Sequence, residues 1–161
     1  MTPARLRELL DYDPSTGVVK TRKGRVLLPD HDGLVVVFCP DTKVKFKQKL
    51  ERIAYTLAFG VVPRKDKKVL HKNLDISDNS SKNLSLVTRG IFLQIKEAQR
   101  NLTQGIRLSA HCVDQFDYVV RWLDEGKEKH LVFSDIGAAR KFMLKQQLKY
   151  SKILTKYCVF D

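Results

Sequence analysis

The sequence predicts an α+β fold built from two successive modules. Three observations carry that expectation. Short strand-like and helix-like runs follow one another without the regular strand–helix alternation of a parallel sheet. A polar stretch, residues 75–83, separates two short apolar runs and is followed by a helical pattern. From residue 104 the rhythm changes to three strand candidates in succession and then one helix. At 161 residues and 43% hydrophobic the chain is long and apolar enough for one or two small cores. The expected modules are residues 1–100 and 101–161.

Taken in order, Thr2 and Pro3 form a helix start, with Thr2 as N-cap and Pro3 in the first turn. Leu6, Leu9 and Leu10 supply its apolar face, and D-Y-D-P-S-T-G ends it. Val18-Val19 reads as a strand, as do Leu34–Phe38 and Val44–Phe46, with a hairpin turn at Pro40-Asp41. Leu50, Ile53, Ala54, Leu57 and Ala58 recur at helical spacing, and Gly60 stops that helix. The loop V-P-R-K-D-K-K, residues 62–68, is strongly basic. V-L-H around residue 70 closes a first strand, L-S-L-V-T makes a second, and a helix runs from near Thr88 to about Asn101. The ββα core thus spans about residues 66–100.

The chain carries 30 Lys+Arg against 18 Asp+Glu, a formal charge of +12. Such an excess points to a polyanionic partner, above all nucleic acid. The charge is spread over the chain rather than gathered in a tail: net +9 falls in residues 1–100 and +3 in the rest. Cys39, Cys112 and Cys158 are odd in number and far apart, so a structural zinc site is not expected and a reducing compartment is. No apolar run has the length of a signal peptide core or a membrane span. The expected location is the cytoplasm.

Residues 69–89 read V-L-H-K-N-L-D-I-S-D-N-S-S-K-N-L-S-L-V-T-R. They resemble the core of phage-type HNH homing endonucleases, V-D-H-x-[DN]-G-D-x-S-[DN]-N-x-x-x-N-L-[RS]-L-V-T-R, without a gap. L-R-E-L-L-D-Y-D-P-S-T-G-V-V, residues 6–19, and E-R-I-A-Y-T-L-A-F-G, residues 51–60, resemble the same proteins, although Glu51 stands where they usually carry histidine. The resemblance implies a ββα-metal (His-Me finger) domain. His71 falls on the general base and Asn83 on the asparagine that braces the loop by bonds to backbone. The two usual metal-ligand positions hold Leu70 and Phe92, and neither can offer an oxygen to a hard divalent cation. His71 is thus a relic or a residual general base, and no metal ligands are assigned. Asn73, Asp75 and Asp78 lie near enough in sequence for a displaced site, with Gln94 or Glu97 as its helix members, although neither lies one full turn from Phe92. General-base assistance alone gives about 10²–10⁴-fold, short of the ~10⁶-fold or more typical of enzymes.

The second half carries G-I-R at its start, alternation through F-D-Y-V-V-R-W-L, a D-E-G-K turn, the strand E-K-H-L-V-F, and a helix capped by Ser134-Asp135. This resembles the APETALA-type DNA-binding domain, a three-stranded antiparallel sheet plus helix, which implies a sheet laid in the major groove. Val132 replaces the glycine expected before the final Phe. Arg107, Arg121 and Trp122 are then expected to face DNA, with Lys127, Lys129 and His130 near phosphates. Alternation puts Arg121 and Trp122 on opposite faces, so one of them at most reaches a base; the other reading of Trp122 is a core residue. In the first module Arg64, Lys65, Lys67, Lys68, Arg89, Lys96 and Arg100 are the basic side chains assigned to DNA.

These readings converge on a sequence-specific double-stranded DNA-binding protein derived from a homing endonuclease, its nuclease activity lost or strongly impaired. It would serve as a repressor or site competitor and need no cofactor. Two rivals stay open: an active Mg²⁺-dependent nicking enzyme with an unusual metal site, and an inhibitor that binds a protein partner on a repurposed fold.

Overall fold

The computed structural model describes residues 2–104, 107–113 and 115–159, and side chains outside 104–116. The chain divides into two compact units, Met1–Arg89 and Gly90–Phe160. The described residues form a mixed α+β structure with four helices and four small antiparallel sheets.

In the first unit, helix α1 (Pro3–Leu9) starts where Thr2 Oγ1 accepts the Arg5 amide at 3.3 Å. The segment expected to be only a turn then forms a short strand, β1 (Leu10–Tyr12), paired with β2 (Val19–Thr21). Leu10, expected on the helix, thus opens a strand, and its side chain stays buried. β3 (Leu34–Cys39) and β4 (Val44–Lys49) make the expected hairpin. Alternation on β3 buries Val35, Val37 and Cys39 and exposes Val36 and Phe38. Helix α2 (Leu50–Phe59) ends at Gly60, whose φ of 69° suits a residue without Cβ. β5 (Lys67–His71) pairs with β6 (Leu84–Thr88). One core joins these elements: Leu6, Leu10, Val19, Val35, Val37, Ile53, Ala54, Leu57, Val69 and Leu84.

The second unit begins in helix α3 (Arg89–Gln104) and continues with β7 (Arg107–Val113), β8 (Gln115–Asp124) and β9 (Lys127–Phe133), in sheet order β7-β8-β9. The β8–β9 turn places Glu125 and Gly126 at φ 53° and 75°, the backbone of a two-residue hairpin. Helix α4 (Ile136–Tyr157) is capped by Asp135, whose Oδ2 accepts the Ala138 amide at 2.7 Å. Its last turns carry buried Tyr150 and Leu154. Val120 and Ala139 centre this core, with Tyr118, Trp122, Phe133, Phe142 and Met143 around them. Asn101 ties α3 to the end of β8: its Nδ2 donates to the Leu123 carbonyl and its Oδ1 accepts the Leu123 amide, both at 2.9 Å. No helix among the described residues is long and apolar enough to cross a membrane.

Candidate functional site

The loop between β5 and β6 is organised by short polar side chains bonded to nearby backbone, the usual device of Asn, Asp and Ser in turns. Asn83, only 5% exposed, is its centre. Its Oδ1 accepts the Asn73 amide at 2.9 Å and its Nδ2 donates to the Asp78 carbonyl at 2.7 Å. The two ends of the loop are thereby held together. Asp75 Oδ1 accepts the Ser77 hydroxyl at 2.7 Å and the Ser77 amide at 2.9 Å, which draws its carboxyl below the usual range. Asp78 Oδ1 accepts the Ser80 amide at 3.0 Å and its Oδ2 accepts Asn73 Nδ2 at 3.0 Å. Leu74 has φ 64°, a left-handed conformation, where the motif pattern carries glycine. That departure was readable in the sequence. It costs roughly 1–2 kcal/mol of backbone strain.

His71 ends β5 and is buried, and its Nε2 lies 3.1 Å from Asn79 Oδ1. The other end of the Asn79 amide donates to the Ser77 carbonyl at 3.4 Å, which turns Oδ1 toward the ring. Asn79 thus sets an acceptor against Nε2 and positions the His71 ring.

The turn at residues 13–17 buttresses this loop from the far end of the first unit. Ser81 donates to the Pro14 carbonyl from its amide at 2.9 Å and its hydroxyl at 3.1 Å. The Tyr12 hydroxyl donates to the Asn79 carbonyl at 2.9 Å, and burial pushes its pKa up to about 12. The turn itself is wound on Asp13. Its Oδ1 accepts the Ser15 hydroxyl at 2.6 Å and the Ser15 amide at 2.9 Å, while its Oδ2 accepts the Thr16 hydroxyl at 2.8 Å. The Ser15 hydroxyl, then the Ser15 amide, then the Thr16 hydroxyl lower the Asp13 pKa from 3.8 to about 2. A carboxyl depressed on folding stabilises the fold above its unfolded pKa and loses that contribution as pH falls through the folded one. The chain is therefore expected to lose thermal stability between about pH 4 and pH 2, and Asp13→Asn should flatten that part of the acid limb. Equal acid sensitivity of Tm in the two proteins would contradict this role.

A divalent ion does not fit the side chains around His71. Leu70, the residue before it, is apolar and 3% exposed. Both oxygens of Asp78 and one of Asp75 are engaged by the loop itself. Among the described residues no three His, Cys, Asp or Glu side chains are grouped to hold a metal. Phe92 lies on α3 in the second unit, where the Lys96 ammonium stands 5.9 Å from its ring centre. Glu97 accepts the Gly126 amide at 3.1 Å.

The basic side chains fall into separate groups. In the first unit Arg64, Lys65, Lys68 and Arg89 are exposed and Lys67 is half-buried. Their loop is anchored by Arg52 of α2, which donates to the carbonyls of Pro63 and Lys67, the latter at 3.2 Å. In the second unit Lys96 and Arg100 are exposed on α3. Strand register sets Arg107, Arg121 and His130 directly opposite one another across the sheet, a basic row. The Arg107 side chain lies outside the described residues. Arg121 and His130 are exposed, on the face away from α4. Trp122 is not on that face: it packs on Phe142 at 5.1 Å between ring centres, so it belongs to the core. Lys129 shares the Trp122 parity by register and bonds Asp124 at 2.6 Å, while Lys127 is exposed beside the turn. Cys39 and Cys158 are buried free thiols; the Cys112 side chain is outside the described residues.

Residues 48–91 match the family model described as HNH endonuclease. The matched stretch contains α2, the basic loop, β5, the braced loop and β6. It supports an HNH-family protein with a nucleic-acid-related function. No curated protein and no solved structure matches the chain.

Proposed function

We propose that this chain is a double-stranded DNA-binding protein on an HNH scaffold of the ββα-metal type that does not cleave its target by the metal-dependent route. The observation that carries this reading is Leu70. A buried leucine directly precedes a buried histidine that faces Asn79 in a loop tied together by Asn83. The framework of the site is kept while the oxygen ligands beside it are not. Binding is supported by the charge of +12 and by the exposed basic groups on both units. The row at Arg121 and His130 is the base-reading candidate, since Arg can address guanine edges, and the Arg64–Lys68 loop supplies phosphate contacts.

The test is selection of bound duplex from random sequence, followed by incubation of the selected duplex with Mg²⁺ or Mn²⁺. Affinity is expected to fall steeply with salt, by a slope of about 0.9 per phosphate neutralised. Changing Lys65, Lys67 and Lys68 together to Gln should weaken binding to all sequences alike, and Arg121→Ala should relax sequence preference. No nicks should appear above a His71→Ala control. Reproducible His71-dependent nicking would instead establish an active nuclease, and salt-independent, weak duplex binding would favour a protein partner.

A further inference from the structure

Helix α4 carries basic side chains and no acidic one along its whole length, Ile136–Tyr157. Lys141, Lys145, Lys149, Lys152 and Lys156 follow one another at steps of four, four, three and four residues, which sets them in one stripe. All five are exposed. At 1.5 Å per residue the stripe is about 22 Å long, with the Cβ atoms of neighbours about 5–6 Å apart. The buried positions of the helix, Ala139, Tyr150 and Leu154, lie on roughly the other side; Ala139 packs on the sheet and the Tyr150 hydroxyl donates to the Leu123 carbonyl at 2.7 Å. The lysine row therefore faces away both from the core and from the Arg121–His130 face. Lys149 stands 3.5 Å from Asp124, and among the described residues no ion pair engages Lys141, Lys145 or Lys152. Like charges at this spacing repel and weaken a helix by a few tenths of a kcal/mol per pair. A polyanion lying along the row would relieve that repulsion.

We propose that the lysine row of α4 is a second phosphate-binding surface that takes a nucleic-acid backbone, separate from the outer face of the sheet. The inference rests on the proposal that nucleic acid is the partner of this chain. The lysines stand on flexible stems along one line, so several phosphates of one strand can be neutralised at once with release of their counterions. The rival occupant is an anionic membrane surface, because Leu144 and Leu148 are exposed beside the row at 57% and 62%. An interfacial helix puts its apolar side chains at the centre of the buried face and its lysines on the flanks. Here the lysines are central, the two leucines lie on one flank, and the broad apolar face is already covered by the sheet.

The experiment compares the full-length parent with the quadruple variant K141Q/K145Q/K152Q/K156Q, leaving Lys149 with Asp124. Affinity for a mixed-sequence duplex is measured over a series of salt concentrations. The slope of log K against log salt is expected to fall by about 2–4 in the variant, and a Lys→Arg version of the four positions should restore it. Helix content and thermal stability of the variant should be at least those of the parent, since repulsion is removed. A parent with a steep slope and a variant with the same slope would overturn this inference alone. A parent without salt-dependent duplex affinity would overturn it together with the proposed function. Binding of phosphatidylserine vesicles that the variant loses while its duplex slope is unchanged would assign the row to a membrane instead.

Discussion

Replacing Gly17 with alanine is expected to destabilise the first unit by about 4 kcal/mol or more, which places it among the exceptional single substitutions. Two effects combine. Gly17 has φ 76°, a left-handed conformation that costs an L-residue roughly 1–2 kcal/mol. A Cβ there would also lie 2.3 Å from the carbonyl carbon of Asn79 and 2.4 Å from the amide nitrogen of Ser80. Those atoms are backbone in the braced loop and cannot yield without moving His71's partner. Gly24 is the internal control. It has nearly the same φ, 82°, but nothing within 4 Å of its would-be Cβ. Gly24→Ala should cost only the conformational part, about 1–2 kcal/mol. Urea unfolding of the two variants measures the difference, and equal midpoints would show that the close approach of turn and loop is not real.

Asn83→Ala is expected to cost about 1–3 kcal/mol. It removes two part-buried bonds, from the Asn73 amide and to the Asp78 carbonyl, each worth about 0.5–1.5 kcal/mol net. Asn79→Ala removes one neutral hydrogen bond to His71 and a long one to Ser77, and should cost nearer to 1 kcal/mol. If the order of these two variants is reversed in denaturant melts, the loop is held by Asn79 and not by Asn83.

Most of the secondary structure was legible because it rests on local periodicity. The apolar spacing of α2 and its glycine stop, the alternation of β3 and the polar run before Leu84 can each be read within a dozen residues. β1 was missed because three residues, Leu10–Tyr12, show no period, and their strand character comes from pairing with Val19–Thr21. Alternation on β8 separated Arg121 from Trp122, but only Phe142 of α4 decides which of the two faces is covered. The positions of His71, Asn83 and Leu70 on adjoining strand and loop were readable from the motif. The role of Asn79 was not, since it depends on which way an amide is turned. Nor was the contact of residues 13–17 with residues 79–81, which no short window of sequence contains.

That contact bears on what counts as a minimal module. Residues 48–91, the stretch the family model covers, include His71, Asn79 and Asn83. They omit Pro14, whose carbonyl receives Ser81 across 67 positions of chain, and Tyr12, whose hydroxyl holds the Asn79 carbonyl. They also omit Leu6, Leu10, Val19, Val35 and Val37, five of the eleven buried residues of the core on which α2 and β5 rest. An excised fragment with those bounds would carry every residue of the motif and still lack the parts that give the loop its shape. The recognisable stretch is thus not autonomous, and insertions that lengthen the path from residue 17 to β5 should be tolerated far better than truncation before residue 17.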